Sequence, residues 1–366
     1  MTIFRDQVAK KPAYVPGKPV SELQREFGVA EAVKLASNEN PLGPSPLAVA
    51  AVQRAALEMN AYPDDYGLCL KEKLSAFHSL PVNRIVLGNG GTELLKMTAE
   101  TFINEGDEAV MSTVTYAKYA TEVEFLGGVA VRVPHKDYGA DIPAMLAAVT
   151  PKTKLVFLCN PNNPTGRIAT GAEVAELVHK TPSHVTVVLD EAYYHYAMRN
   201  PDYIETQPFL AERENLVILR TFSKIAGLAG ARIGYAMTSE AIADAMNRTK
   251  LTFGVNNFAL AAGMAALEDA EHIRKTVEAN AESLGMMQHY FEANGIPYVP
   301  TSANFIFFDT GLDGRTVYRK LLEKGVILRG GFLWKCDTWL RASSGTVRQT
   351  EIFLNALTDV LKDMKG

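Results

Sequence analysis

Short aliphatic runs punctuate the chain, and polar or small residues follow each one. Ile85-Val86-Leu87 precedes Gly88-Asn89-Gly90-Gly91-Thr92, and Leu155-Val156-Phe157-Leu158 precedes Asn160-Pro161-Asn162-Asn163-Pro164-Thr165-Gly166. Val185 to Leu189 precedes Asp190-Glu191-Ala192-Tyr193, and Leu216 to Leu219 precedes Thr221-Phe222-Ser223-Lys224. Runs of this length without polar alternation read as strands buried on both faces, and Ala109-Val110-Met111 is another. Helix-like segments lie between them: Leu47 to Met59, started by Ser45-Pro46, then Glu93 to Phe102 and Gly171 to His179. Alternation of this kind predicts an α/β fold with a mostly parallel sheet covered on both sides.

The pattern changes near residue 270. A long helical stretch, Phe258 to Ala293, leads to a strand at Asn304 to Phe308 and a helix near Arg315 to Lys324. Short strands at Val326 to Leu328 and Trp339 to Arg341 follow, with a closing helix. This predicts a smaller α+β domain. Residues 1–45, rich in Pro, Lys and Asn, read as an extended arm. The expected organisation is an arm over 1–45, a large domain over 46–270 and a small domain over 271–366.

Composition narrows the function. The 366 residues are 47% hydrophobic and 21% charged, ordinary for a soluble globular chain too long for one small core. A net charge of −4 without a Lys/Arg-rich stretch argues against nucleic acid. The longest apolar stretch, Phe258 to Leu267, is too short to span a bilayer, and the N-terminus does not read as a signal peptide. Cys69, Cys159 and Cys336 are too widely spaced for a disulfide framework or a metal site. The expected setting is cytoplasmic, with no membrane or metal.

In open α/β sheets, ligands bind beyond the carboxyl ends of the strands. The polar tails should therefore converge. The glycine-rich turn Gly88 to Thr92, which opens the helix after a strand, reads as a phosphate cradle, although it matches neither the dinucleotide nor the Walker pattern. A lysine at the sheet rim is partly desolvated, which favours its neutral amine and Schiff-base chemistry. Taken singly, each residue has an ordinary explanation: turn chemistry for Asn163, a helix cap for Asp190, core packing for Tyr193. Taken together they fit pyridoxal 5'-phosphate. Lys224 would hold its aldehyde, Asp190 would pair with the ring nitrogen, and Asn163 and Tyr193 would donate to the ring oxygen. Gly91, Thr92, Thr221, Ser223 and Arg232 would hold the phosphate. Tyr116 is a candidate to stack on the ring.

Asn-Pro-x-Asn-Pro-Thr-Gly, Asp-Glu-Ala-Tyr and Ser-Lys-x-x-Gly-Leu-x-Gly-x-Arg, in this order, resemble the fold-type I pyridoxal-phosphate aminotransferases, over nearly the whole chain. Lys34 to Gly43, Tyr62-Pro63-Asp64-Asp65-Tyr66-Gly67 and Arg220 to Lys224 resemble the histidinol-phosphate aminotransferase branch. The resemblance implies a three-layer PLP-transferase fold and a ping-pong transfer, through the Lys224 Schiff base, from an amino donor to a 2-oxo acid acceptor. In that branch these are histidinol phosphate and 2-oxoglutarate. It also implies a homodimer in which Tyr62 reaches the neighbouring subunit's cofactor phosphate. Arg341 matches the arginine that binds the substrate carboxylate, Arg329 one that meets a distal phosphate, and Tyr14 an arm tyrosine near that phosphate.

Departures fall on the substrate side. Ala342-Ser343-Ser344-Gly345 stands where the branch commonly has Ile-Thr-Val-Gly, Gly330 to Cys336 is unlike the usual segment, and Ile225 replaces a frequent Ala. Phe332, Trp334 and Trp339 either line an aromatic pocket or pack. An aromatic amino acid as donor, or decarboxylation of a phospho-amino acid, remain alternatives. A cofactor-binding regulator would carry a DNA-binding module, which the short, non-basic arm does not resemble.

Overall fold

The computed structural model describes residues 3–9 and 17–365. Its larger sheet has seven strands: β1 (Ile85–Gly88), β2 (Glu108–Ser112), β3 (Val129–Val133), β4 (Thr153–Cys159), β5 (Thr186–Asp190), β6 (Leu216–Thr221) and β7 (Gly234–Met237), in the order β1-β7-β6-β5-β4-β2-β3. Only β7 runs against the others. Successive side chains serve opposite faces. Ile85, Leu87, Val187, Leu189 and Ile218 pack into one apolar core, while Val86, Val188, Val217 and Leu219 pack into another on the far side. Helices cover both faces, as the unbroken aliphatic runs required.

Register sets the site. Cys159 of β4 and Leu219 of β6 flank Asp190, the last residue of the central strand β5. The chains leaving β4, β5 and β6 therefore emerge side by side.

The second sheet is antiparallel. It comprises β8 (Tyr298–Val299), β9 (Phe305–Asp309), β10 (Arg329–Gly330) and β11 (Trp339–Ser343), ordered β10-β11-β9-β8. Ile306, Phe308, Leu340 and Ala342 pack with Phe291 and Phe353 of the helices Ala270–Ala293 and Val347–Lys365. Val33–Lys34 pairs in parallel with Val326–Ile327 and ties the N-terminal segment to this body.

Several expectations need correction. The N-terminal 45 residues are not simply extended, because Val20–Phe27 is a helix. Val20, Leu23 and Phe27 share one face, and Leu23 is fully buried against Ala36, Leu322 and Ile327. Gly28, at φ +68, closes the helix by donating to the Gln24 carbonyl. The long helical stretch is two helices, Asn257–Ala266 and Ala270–Ala293, because the Asp269 side chain accepts the His272 N–H and caps a new start. The helix after the glycine turn begins at Gly91, inside the turn. Val326 to Leu328 is not one strand: the chain passes from pairing with Val33–Lys34 to pairing with β11. The half-exposed edge strand β3, the short β7 and the helices Leu68–His78 and Lys118–Phe125 were not expected.

Candidate active site

A cavity of about 570 Å³ opens where the two sheets meet. Its walls include Gly91, Thr92, Tyr116, Asn163, Asp190, Tyr193, Thr221, Ser223, Lys224, Arg232, Arg329 and Arg341. Twelve of the residues singled out in the sequence thus face one space. Tyr62 does not: it is 81% exposed and stacks on Phe253 at 4.6 Å. Tyr14 lies outside the described residues.

Lys224 sits in the turn after β6, and its Nζ donates to the Ser37 carbonyl at 3.0 Å. Burial, followed by the positive charge of Arg341, lowers the amine to about 8. The amine thus gives up its proton far more readily than a free lysine, although most of it is still protonated at neutral pH. Asp190 is also buried, and burial pushes its carboxyl above the usual range. The Tyr119 hydroxyl, donating to Oδ2 at 2.7 Å, and the Ala192 N–H, donating to Oδ1 at 3.2 Å, pull it back. Tyr119 is itself fully buried, with its ring stacked on Phe157 at 4.9 Å.

Two donors are aimed by what their acceptor atoms hold. Arg341 Nη1 donates to Asn163 Oδ1 at 2.5 Å, which leaves the amide NH₂ turned away from the guanidinium. The Tyr193 oxygen accepts from Asn38 Nδ2 at 2.8 Å, so its own proton can be given elsewhere. Burial pushes the Tyr193 phenol up, keeping it a donor at neutral pH. Arg341 also donates to the Ala36 carbonyl at 2.5 Å and is 5% exposed.

The helix Gly91–Phe102 starts with no side-chain cap, so its first N–H groups and the positive end of its dipole point into the cavity. Gly90, at φ +76 and ψ 171, holds a backbone conformation that favours glycine, and a Cβ there, 2.4 Å from Arg232 Nη2, would push the guanidinium aside. Arg232 is held over the turn by the carbonyls of Ala229 at 2.9 Å and Asn89 at 3.4 Å. The Thr221 hydroxyl donates to Ser223 Oγ at 2.9 Å beside it. Such a cradle binds dianions.

Sequence reasoning missed Tyr119, Asn38 and a buried ion-pair network. Asn38 has φ +54, donates its N–H to Ser343 Oγ at 2.8 Å, and accepts from Asn304 Nδ2 at 3.1 Å through its carbonyl. The polar run Ser37 to Asn40 was the one available signal. Arg220 donates to Glu191 at 2.8 Å and to Glu205 at 2.6 Å. Glu191 follows Asp190, so this pair locks the end of β5 to β6.

A lysine-bearing crevice at the carboxyl edge of a mostly parallel sheet, with a buried carboxylate beneath and an anion cradle beside it, is the architecture of the fold-type I enzymes. The family model for aminotransferase class I and II matches residues 30–357, and the chain belongs to that family. Among its relatives, histidinol-phosphate aminotransferase of Moorella thermoacetica is 47% identical over 98% of this chain and 92% of that protein. Histidinol-phosphate aminotransferase 2 of Carboxydothermus hydrogenoformans is 42% identical over 95% and 96%. The crystal structure of histidinol-phosphate aminotransferase from Sinorhizobium meliloti, in complex with pyridoxal-5'-phosphate, superposes with a TM-score of 0.91 at 28% identity, covering 100% of this chain and 99% of that one.

Proposed function

We propose that the protein is a pyridoxal-phosphate-dependent aminotransferase that moves the amino group of histidinol phosphate to 2-oxoglutarate. The observation that carries this is the convergence of the Lys224 amine, the Asp190 carboxylate and the uncapped helix at Gly91 on one cavity. The relatives' names supply the substrate.

The residues fit the cofactor. Gly91, Thr92, Thr221, Ser223 and Arg232 would hold its phosphate, Asp190 its ring nitrogen, and Asn163 and Tyr193 its ring oxygen, with Tyr116 against the ring face. Bound there, pyridoxal phosphate supplies an electron sink for negative charge at the substrate Cα. Lys224, with its amine held near neutrality, first holds the cofactor and then carries the proton at Nζ. Arg341 grips the α-carboxylate of the acceptor acid with its planar fork. Arg329 meets the distal phosphate, and Tyr14 is assigned to the same end. Tyr119 favours the ionised form of Asp190 by donating to Oδ2.

The working unit in this reading is a homodimer. Tyr62, Phe253, Leu57, Met59, Tyr66 and Leu251 are apolar and exposed, an arrangement a second copy would cover. Tyr62 would then reach the partner's cofactor phosphate. Mixing inactive Lys224→Ala with Tyr62→Ala protein should regenerate activity in hybrid dimers, because each hybrid carries one intact site. The division into an arm (1–45), a large body (46–270) and a small body (271–366) is supported by separate cores around the two sheets. A cytoplasmic setting belongs to the same reading. Among the described residues, no helix is long and apolar enough to cross a membrane.

The test is a single-turnover panel. Purified holoenzyme is mixed in turn with histidinol phosphate, aromatic amino acids and phosphothreonine, while the cofactor absorbance is followed. Histidinol phosphate should convert the cofactor to its aminated form fastest, with parallel double-reciprocal lines at steady state. Faster conversion by an aromatic amino acid, or release of carbon dioxide from phosphothreonine, would overturn the assignment.

A further inference from the structure

Trp334 and Trp339 are the only tryptophans of the chain; Trp334 lies near the Arg341 guanidinium, and Trp339 precedes Arg341 by two residues on β11. Trp334 lines the cavity, and its indole N–H donates to the Thr115 carbonyl at 2.9 Å. Thr115 belongs to the loop after β2 that presents Tyr116. Its hydroxyl donates to Asn162 Oδ1 at 2.8 Å, and Asn162 returns a bond to the Val114 carbonyl at 2.8 Å. The next residue, Asn163, accepts from Arg341, whose guanidinium carbon lies 5.8 Å from the Trp334 ring centroid. The contacts close a circuit: Trp334, Thr115, Asn162–Asn163, Arg341 and back to Trp334. Thr115, Asn162 and Asn163 come from the larger sheet's loops, and Trp334 and Arg341 from the smaller body.

The backbone leaves Trp334 little freedom. The turn Gly331–Trp334 ends at Lys335 with φ +62, and the Cys336 N–H returns to the Gly331 carbonyl at 3.1 Å. A Cβ on Gly331 would lie 2.5 Å from the Trp339 carbonyl. Trp339 stacks on Phe307 at 4.8 Å, and Phe307 is the cross-strand partner of Arg341. Tyr138 packs on Trp339 at 4.6 Å and meets Phe307 edge-on at 6.4 Å.

We propose that Trp334 is a positioning residue for substrate. By fixing Arg341 against the Thr115–Asn163 wall, it sets the grip on the carboxylate of the 2-oxo acid. This rests on the reading of Arg341 as the carboxylate fork. The chemistry recognised is a planar carboxylate, shared by 2-oxo acids and by unreactive dicarboxylates that compete with them.

The test uses holoenzyme and Trp334→Phe, which keeps an aromatic ring but loses the N–H. One lost hydrogen bond of about 1.4 kcal/mol corresponds to about tenfold in affinity. The inhibition constant of an unreactive dicarboxylate and the KM for the 2-oxo acid should both rise about tenfold, with kcat and cofactor affinity unchanged. An unchanged inhibition constant overturns the proposal. A parallel loss of cofactor affinity also overturns it, by showing a merely structural role. Arg341→Lys is the control. If it leaves dicarboxylate binding intact, the fork assignment itself falls. If it weakens binding while Trp334→Phe does not, only the present inference falls.

Discussion

The contact of Tyr119 with Asp190 gives the sharpest test of how this site is tuned. Tyr119→Phe removes a hydroxyl and leaves the ring on Phe157, so no cavity opens in the core. Asp190 then loses one of its two donors in a buried place, where burial already pushes its carboxyl up. A hydrogen bond to a charged group contributes about 1.5–3 kcal/mol. The carboxyl should therefore move further upward. Asp190 has to be ionised to pair with a protonated ring nitrogen, so the acid limb of cofactor affinity should shift to higher pH with it. Below that limb the dissociation constant should rise about 10- to 100-fold. Titrating cofactor-free protein with pyridoxal phosphate across the acid-to-neutral range, read by absorbance, measures both. Thermal stability should change little. A variant with the wild-type affinity profile would refute the coupling and leave Tyr119 as core packing alone.

Three further outcomes follow from the same geometry. In the cofactor-free protein the Lys224 amine is lowered to about 8 from 10.5, so between those values the folded chain has shed a proton that the unfolded chain still binds, and stability rises with pH. Lys224→Met should thus be the more stable protein below about pH 8, with the gap in Tm closing as pH rises to about 10.5. A constant gap would mean the amine is not desolvated. The same variant should lack the visible cofactor band and all turnover. Asp190→Asn removes a buried charge and should raise the stability of the cofactor-free protein by up to about 2 kcal/mol while abolishing activity; a loss of stability would contradict the burial penalty. Gly227→Ala places a Cβ 2.0 Å from the Gly43 carbonyl at φ +68, and chemical denaturation should show a loss of about 3 kcal/mol or more. An unshifted midpoint would show that the Gly43 loop moves aside freely.

The cofactor side of the site was legible because its residues sit at the ends of strands that the aliphatic runs announce. Lys224, Asp190 and Asn163 each follow such a run, and a parallel sheet brings consecutive strand ends together. Tyr119 had no such signal, since it lies in a helix three residues after another tyrosine and its partner is 71 positions away. Asn38 was visible only as one polar residue among four, because its role depends on contacts with Ser343 and Asn304, far along the chain. Edge strand β3 was hidden by its exposure, and β7 by its small residues. The break at Asp269 required reading a cap inside a continuous helical pattern. The aromatic residues Trp334 and Trp339 could be noticed but not assigned, because pocket and packing look alike until the Thr115 carbonyl is in view.

Asn38 has a practical consequence for recombining this protein with its kin. It holds the Tyr193 phenol with its side chain while its backbone is fastened to Ser343 and Asn304. A chimaera that imports only the C-terminal third of a homologue would meet a foreign surface at that one asparagine. The phenol would lose its orientation even though every residue of its own segment was native. Grafts that carry residues 36–40 along with the imported piece should preserve the ring oxygen's donor; grafts that omit them should not.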